Sequence, residues 1–204
     1  SPMRWFVLTI ASSSFALEGY VYLNFPLENV PITISHRGVS RENGIQNTVE
    51  ALEKTALLKP DLVEMDVQET KDGQFVMMHD ANLKQLAGLD AQPQDLTLAE
   101  LTSLEISENG YRAKISSFDD YFTRANQLGQ RLLIEIKTSK KDSKDMMERF
   151  LSKYGAKIKV YQHQIQSLDY QVIDQVVKYD SSIPSFFILP YNTIFPRTKA
   201  SGYT

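Results

Sequence analysis

The stretch Leu62-Val63-Glu64-Met65-Asp66-Val67 alternates acids with apolar residues. Side chains on a strand point to opposite faces in turn, so Glu64 and Asp66 share one face and Val63, Met65 and Val67 line the other. Arg131 to Lys137 repeats the pattern, with Glu135 and Lys137 together, opposite Ile134 and Ile136. Two strands that each aim charged side chains to one side set the terms for everything around them.

Outward from these strands, the chain alternates strand and helix patterns. Ile32 to Ser35 reads as a short strand that stops at His36-Arg37-Gly38. Asn47-Thr48 can cap a helix running through Val49, Leu52, Ala56 and Leu57, which Pro60 ends. Thr70 to Gly73 is a turn, and Gln74 to His79 returns from it as a further strand. Thr97 to Glu100 has capping-box spacing, and Ser117 opens a helix over Phe118 to Leu128 with Gly129 placed to stop it. Beyond Lys137 we expect a helix from about Asp142 to Tyr154 ended by Gly155, a strand over Lys157 to Gln162, a helix over Leu168 to Tyr179 and a strand over Ser185 to Leu189.

Strands separated by helices at this rhythm predict a parallel α/β architecture. No glycine-rich dinucleotide turn and no phosphate-binding loop of the G-x-x-x-x-G-K-[ST] type is present, which removes the nucleotide-binding versions of such a sheet. Polar residues suited to chemistry fall instead at the C-terminal ends of several strands, as a TIM-type (β/α)8 barrel requires. The pattern supplies about five of the eight barrel strands, and the length from His36 to Thr204 falls well short of the ~250 residues such a barrel typically takes. The expectation is therefore a barrel domain over residues 31–204 that lacks its last strands.

The bulk numbers narrow the function. Of 204 residues, 42% are hydrophobic and 23% charged, and the net charge is -3 with a pI near 5.7, so nothing in the electrostatics favours a nucleic-acid partner. The absence of cysteine excludes disulfides, thiolate nucleophiles and thiolate metal sites. Residues 1–26 form an apolar segment: Trp5 to Leu17 carries no charge, and after Glu18 and Gly19 the run resumes at Tyr20. It is shorter than the ~20 apolar residues of a membrane span and reads either as the end of a transmembrane helix or as a buried first helix. Arg4 before the run favours placing the rest of the chain outside the cell, with a cytoplasmic location as the alternative.

Carboxylates aimed into a barrel interior repel one another and carry a large desolvation cost unless something neutralises them. An all-oxygen set without cysteine suits a hard divalent ion, Mg²⁺ or Ca²⁺. A buried ion network with Arg37 or Lys137 is the other solution, and spacing alone does not choose. The histidines favour chemistry. His36 and His79 end separate strand elements, each beside a charged residue, and a pair of imidazoles flanking a phosphate can supply a general base and a general acid. Arg37 adds a planar fork of donors matched to phosphate oxygens. His163, in Tyr161-Gln162-His163-Gln164, reads as structural or as a support to the site.

The order His36-Arg37-Gly38, Glu42-Asn43 to Thr48, Glu64-Met65-Asp66-Val67, Thr70 to Gly73, His79-Asp80 and Glu135-Ile136-Lys137 resembles the glycerophosphodiester phosphodiesterase family. The resemblance implies a metal-dependent hydrolase that cleaves small or lipid-derived glycerophosphodiesters to glycerol 3-phosphate and an alcohol. It implies His36 and His79 as the acid/base pair, Glu64, Asp66 and Glu135 as metal ligands, and Arg37 and Lys137 as phosphate contacts. One departure is local: the family's Pro-Glu-Asn-Thr is here interrupted by Gly44-Ile45-Gln46, which leaves Glu42 as a residue supporting the site at most. That interruption is similar to a bacterial membrane-anchored subgroup and agrees with attachment through residues 1–26. Two other functions compete: a phosphodiesterase of the phosphatidylinositol-specific phospholipase C type, and a non-catalytic module that binds glycerol-phosphate polymers.

Overall fold

The computed structural model describes residues 5–12, 15–23, 33–38 and 44–190. Its centre is a set of parallel strands: β3 (Ile34–Ser35), β4 (Leu62–Glu69), β8 (Leu132–Ile136), β9 (Gln164–Ser167) and β10 (Ser185–Pro190). Each pairs in parallel with the next along the chain. Every crossover therefore adds a strand on the same side, so the sheet is singly wound, as a TIM-type barrel requires and a doubly wound sheet does not. The architecture is α/β of the barrel kind, with five parallel strands among the described residues.

The crossovers carry α1 (Val49–Ala56), α4 (Phe118–Leu128), α5 (Met146–Val160) and α6 (Tyr170–Tyr179). The Thr48 hydroxyl accepts from the Ala51 N–H at the start of α1, the Ser117 hydroxyl accepts from the Asp120 N–H at the start of α4, and Gly129 ends α4 in the left-handed region at φ 66°. The helices bury Val63, Met65, Val67, Ile134 and Ile136, the outward side of β4 and β8, beneath Phe118, Phe122, Phe150 and Tyr154. At about 1.5–3 kcal/mol for each large apolar side chain removed from water, this outer layer is the principal apolar contribution to stability.

Between β4 and α4 the chain makes an excursion: β5 (Phe75–Met77), antiparallel to β4, then α2 (Lys84–Ala87), α3 (Leu98–Ser103) and the hairpin β6 (Glu105–Glu108) with β7 (Tyr111–Lys114). Thr97 and Glu100 form the expected capping box. The excursion has a small core of its own, in which Ile45 from the first loop packs with Val76, Met78, Leu101, Ile106 and Ile115.

Three sequence readings are corrected here. The hairpin at Glu105–Lys114 was not anticipated, although Asn109-Gly110, both at positive φ (53° and 80°), is the primed-turn dipeptide that marks such a hairpin. Gly155 does not end α5, which continues to Val160. A Cβ at Gly155 would lie 2.6 Å from ring atoms of Tyr179, so this glycine serves the close approach of α5 and α6. The expected strand at 157–162 is thus largely helix, and the strand is Gln164–Ser167.

The apolar N-terminal segment also differs from the helix expected of it. β1 (Trp5–Ser12) and β2 (Phe15–Leu23) are antiparallel strands, and β2 pairs antiparallel with β10. Among the described residues no helix is long and apolar enough to cross a membrane.

Candidate active site

The face of β4 opposite the helices carries Leu62, Glu64, Asp66 and Gln68; that of β8 carries Leu133 and Glu135, with Lys137 just beyond the strand end. The register brings them level: Asp66 pairs with Glu135, and Glu135 with Gln166 of β9. Below this row Leu62, Leu133 and Phe186 of β10 form an apolar floor, with Ile34 packed against it. The charged row lies at the C-terminal ends of the strands, the end of a parallel barrel open to a ligand.

Glu64, Asp66 and Glu135 each offer a carboxylate oxygen, and these atoms lie within 4.8 Å of one another. All three residues are buried, and Asp66 Oδ1 has no hydrogen-bond partner. Burial, then the charges of Asp66 and Glu135, push the Glu64 carboxyl well above the usual carboxylate range; burial, then Asp66, raises Glu135. Lys137 Nζ stands 2.6 Å from Glu135 Oε2 and 3.5 Å from Asp66 Oδ1. Burial pulls its ammonium down, but Asp66 and Glu135 together hold it above the ordinary lysine value. Part of the ion network foreseen from sequence is therefore real. One amine does not satisfy three buried carboxylates, and the orphaned Asp66 oxygen with two further carboxylates is a donor set that fits a hard divalent cation.

His36, Arg37 and Gly38 form a tight turn after β3, with Arg37 in the left-handed region at φ 53°. This conformation is held from several sides. The Arg37 N–H donates to Glu64 Oε2 at 3.0 Å, and its carbonyl accepts from the Asn47 N–H at 3.1 Å. Of its guanidinium, Nη1 donates to Gln46 Oε1 at 3.0 Å and Nη2 lies 2.6 Å from His79 Nε2. His36 Nε2 stands 3.7 Å from Glu64 Oε2, and burial, with Arg37 and His79 nearby, depresses its ring to about 4.

His79 follows β5, with Nδ1 2.9 Å from Asp80 Oδ1. Its two neighbours fix its protonation. The Arg37 guanidinium can only donate, so Nε2 accepts; the Asp80 carboxylate accepts, so Nδ1 carries the hydrogen. Burial holds this ring below the usual histidine value, and the Asp80 hydrogen bond opposes that only in part.

The residues singled out in the sequence thus converge: His36, Arg37, Glu64, Asp66, His79, Glu135 and Lys137 share one end of the sheet. Glu42 lies outside the described residues. His163 stands apart from them. Its Nδ1 accepts from the Leu132 N–H at 2.9 Å and its Nε2 lies 2.6 Å from Asn126 Oδ1, a buried structural role. The sequence reading missed four supporting side chains. Asn47 and Asp66 are joined by two hydrogen bonds. Gln166 donates to Glu135 Oε1 at 3.2 Å, and Gln46 links Arg37 to Glu108 of β6. Gln46 sits inside the interruption of the motif and Asn47 directly after it, and the signal for Gln166 is only that it alternates with Ile165.

Residues 36–193 match the sequence model of the glycerophosphoryl diester phosphodiesterase family. A lysophospholipase D of Rattus norvegicus is 43% identical over 68 residues, 33% of this chain and 21% of that protein. A glycerophosphodiester phosphodiesterase of Caldanaerobacter subterraneus subsp. tengcongensis is 36% identical over 74 residues, 36% of this chain and 30% of that one. The matched stretches thus span a third or less of these relatives. Among solved structures, an Oleispira antarctica phosphodiesterase in complex with the product sn-glycerol-3-phosphate superposes with a TM-score of 0.61 at 22% identity, covering 76% of this chain and 64% of that one, a likeness of fold. A glycerophosphodiester phosphodiesterase of Thermotoga maritima gives 0.57 at 27% identity over 74% of this chain and 60% of that one.

Proposed function

Because the chain belongs to the glycerophosphoryl diester phosphodiesterase family, we propose that it hydrolyses glycerophosphodiesters to glycerol 3-phosphate and an alcohol, using Glu64, Asp66 and Glu135 as ligands for Mg²⁺ or Ca²⁺ and His36 and His79 as the acid/base pair. The observation that carries this reading is the meeting of three buried carboxylates, within 4.8 Å of one another, with two histidines and an arginine.

The bound cation would polarise a phosphoryl oxygen and balance charge developing on it. Arg37 and Lys137 bind the remaining phosphate oxygens; Lys137 then exchanges part of its pairing with Glu135 and Asp66 for the substrate. His79, neutral with its hydrogen on Nδ1, presents Nε2 as a proton acceptor once a phosphate oxygen takes over the Arg37 Nη2 hydrogen, the rest of the fork staying on Gln46. One histidine takes the proton of the attacking oxygen as its bond to phosphorus forms. The other delivers a proton to the alcohol oxygen as the P–O bond breaks. Gln166 and Asn47 hold Glu135 and Asp66 in place throughout.

The deciding test is release of glycerol 3-phosphate from glycerophosphocholine with Mg²⁺ or Ca²⁺, with EDTA, and with His36→Ala. Metal-dependent product that the mutation removes supports the reading; silence from this chain and from a longer version containing three further barrel strands rejects it. Attachment to a bacterial membrane with the domain outside the cell is a separate proposal, supported by the apolar composition of residues 1–26, by Arg4 before that run and by the resemblance of the interrupted motif to a bacterial membrane-anchored subgroup. Carbonate-washed membranes that retain none of the protein would refute it.

A further inference from the structure

The three residues that interrupt the motif, Gly44-Ile45-Gln46, are the point where the β6–β7 hairpin is fastened to the active site. Ile45 is buried in the small core beside Ile106 of β6. Gln46 follows it, 8% exposed, and is held by a single carboxylate at two points. Its backbone N–H donates to Glu108 Oε1 at 3.1 Å and its Nε2 donates to Glu108 Oε2 at 2.7 Å. With the side-chain NH₂ turned to that carboxylate, the Gln46 Oε1 faces the other way, and there it accepts from Arg37 Nη1 at 3.0 Å. The amide is thus not free to flip: an inverted Gln46 would turn its oxygen to the carboxylate and its NH₂ to the guanidinium, two repulsive contacts at once.

Arg37 needs such an anchor. Its own backbone is in a conformation that costs a non-glycine residue energy, and its Nε, buried, has no hydrogen-bond partner. Left alone, a long guanidinium side chain facing three carboxylates would fold down onto them; Nε already lies 4.0 Å from Asp66 Oδ2. Gln46 fixes one amino group at the rim of the site, so the second, Nη2, is presented toward His79 and the space where a phosphate would lie.

We infer that Gln46 and Glu108 are positioning residues, and that the β6–β7 hairpin acts through them to hold the Arg37 fork in its phosphate-binding orientation. This rests on the proposed phosphodiesterase reading for what the fork binds, but not for the chain of contacts itself. Both Glu108 carboxylate oxygens are engaged by Gln46, so the influence of Glu108 on a phosphate passes through Gln46 and Arg37.

The test is calorimetric titration of the Ca²⁺-loaded chain with inorganic phosphate, alongside KM and kcat for glycerophosphocholine. Glu108→Ala is expected to weaken phosphate binding and raise KM by about tenfold, the effect of loosening one charge-assisted contact, with kcat changed less. Calcium binding should be unchanged. Arg112→Ala, an exposed change in the same hairpin, should alter none of these. Exchanging the pair, Gln46→Glu with Glu108→Gln, keeps an acceptor toward Arg37 and a donor–acceptor match between positions 46 and 108, and should bring phosphate affinity back to within about threefold of the wild type. Unchanged phosphate affinity in Glu108→Ala, or an exchange variant as weak as the single mutant, overturns the inference, as does a wild-type chain that binds no phosphate. A wild type that binds phosphate with this mutational pattern, while neither this chain nor the longer version hydrolyses glycerophosphocholine, leaves the inference standing and removes the phosphodiesterase reading instead.

Discussion

Asn47 grips Asp66 twice: its Nδ2 donates to Asp66 Oδ2 at 3.1 Å, and its Oδ1 accepts the Asp66 backbone N–H at 3.0 Å. Asn47 can do this because it sits in the left-handed region at φ 58°, a conformation that asparagine tolerates better than most residues. The pair ties the turn before α1 to the strand carrying the acids, and it leaves Asp66 Oδ1 as the oxygen without a hydrogen bond. Supports of this kind set ligand direction in a metal site as much as the ligands do.

The first prediction follows from that contact. Asn47→Asp keeps shape and the acceptor toward the Asp66 N–H but replaces a donor with a second carboxylate. The concentration of Mg²⁺ or Ca²⁺ giving half-maximal activity should rise about 10–100-fold, as for loss of other supports to metal ligands. Activity against cation concentration reads this directly; an unchanged midpoint would show that Asn47 serves only the turn.

The second concerns His79. Asp80 and Arg37 together select the tautomer with hydrogen on Nδ1. Asp80→Asn offers the ring an amide donor, permitting the other tautomer, in which Nε2–H meets the Arg37 guanidinium. A loss in kcat of about 10²-fold is expected, within the 10²–10⁴ range of a lost general acid or base. The ¹⁵N shifts of the His79 ring should report the change of tautomer, and a normal kcat with shifted nitrogens would separate the tautomer from the chemistry.

What the sequence disclosed and what it hid divide along the same physical line. β4 and β8 were legible because apolar residues facing the helices alternate with acids facing the interior, and the acids could be placed together by counting. β9 was not. Gln164 and Gln166 face the same interior, so Gln-Ile-Gln-Ser carries one apolar residue where a strand signal needs several, and the strand was read into the preceding 157–162 instead. Gly155 reinforced the mistake, since a glycine required by packing against Tyr179 looks in sequence like a glycine that stops a helix. Gln46 and Glu108 are 62 positions apart and meet only because the excursion folds back over the first loop, which no local pattern announces.

The third prediction uses His163. Burial, with Arg131 nearby, depresses this ring from 6.5 to about 4. Between those values the unfolded chain holds a proton that the folded one does not, so stability is fully present above pH 6.5 and is lost as the pH falls toward 4. The contribution at stake is at most about 3 kcal/mol. His36 and His79 are depressed too and act in the same sense, so the comparison must be between wild type and His163→Gln. The variant should be less stable at pH 7.5, and its urea midpoint should fall less steeply between pH 6.5 and 4.5. Parallel slopes would mean that the folded ring accepts its proton without cost.

The last prediction separates a cation site from a self-contained ion network, and it needs no turnover. In the metal-free protein Glu64 is a fully buried carboxyl surrounded by Asp66 and Glu135, with the Arg37 backbone N–H as its hydrogen-bond donor. Glu64→Gln keeps the volume and an acceptor for that N–H while removing one of three mutually repelling acids. Without metal, the variant should therefore melt at or above the wild-type temperature. Adding Mg²⁺ or Ca²⁺ at about 100 times the dissociation constant should stabilise the wild type by about 2.7 kcal/mol, and the variant far less at the same concentration. Thermal melts with EDTA and with each cation distinguish the cases. A wild type that neither cation stabilises would mean that Lys137 and Arg37 neutralise the cluster between them, and the metal would then have to leave the account of this site.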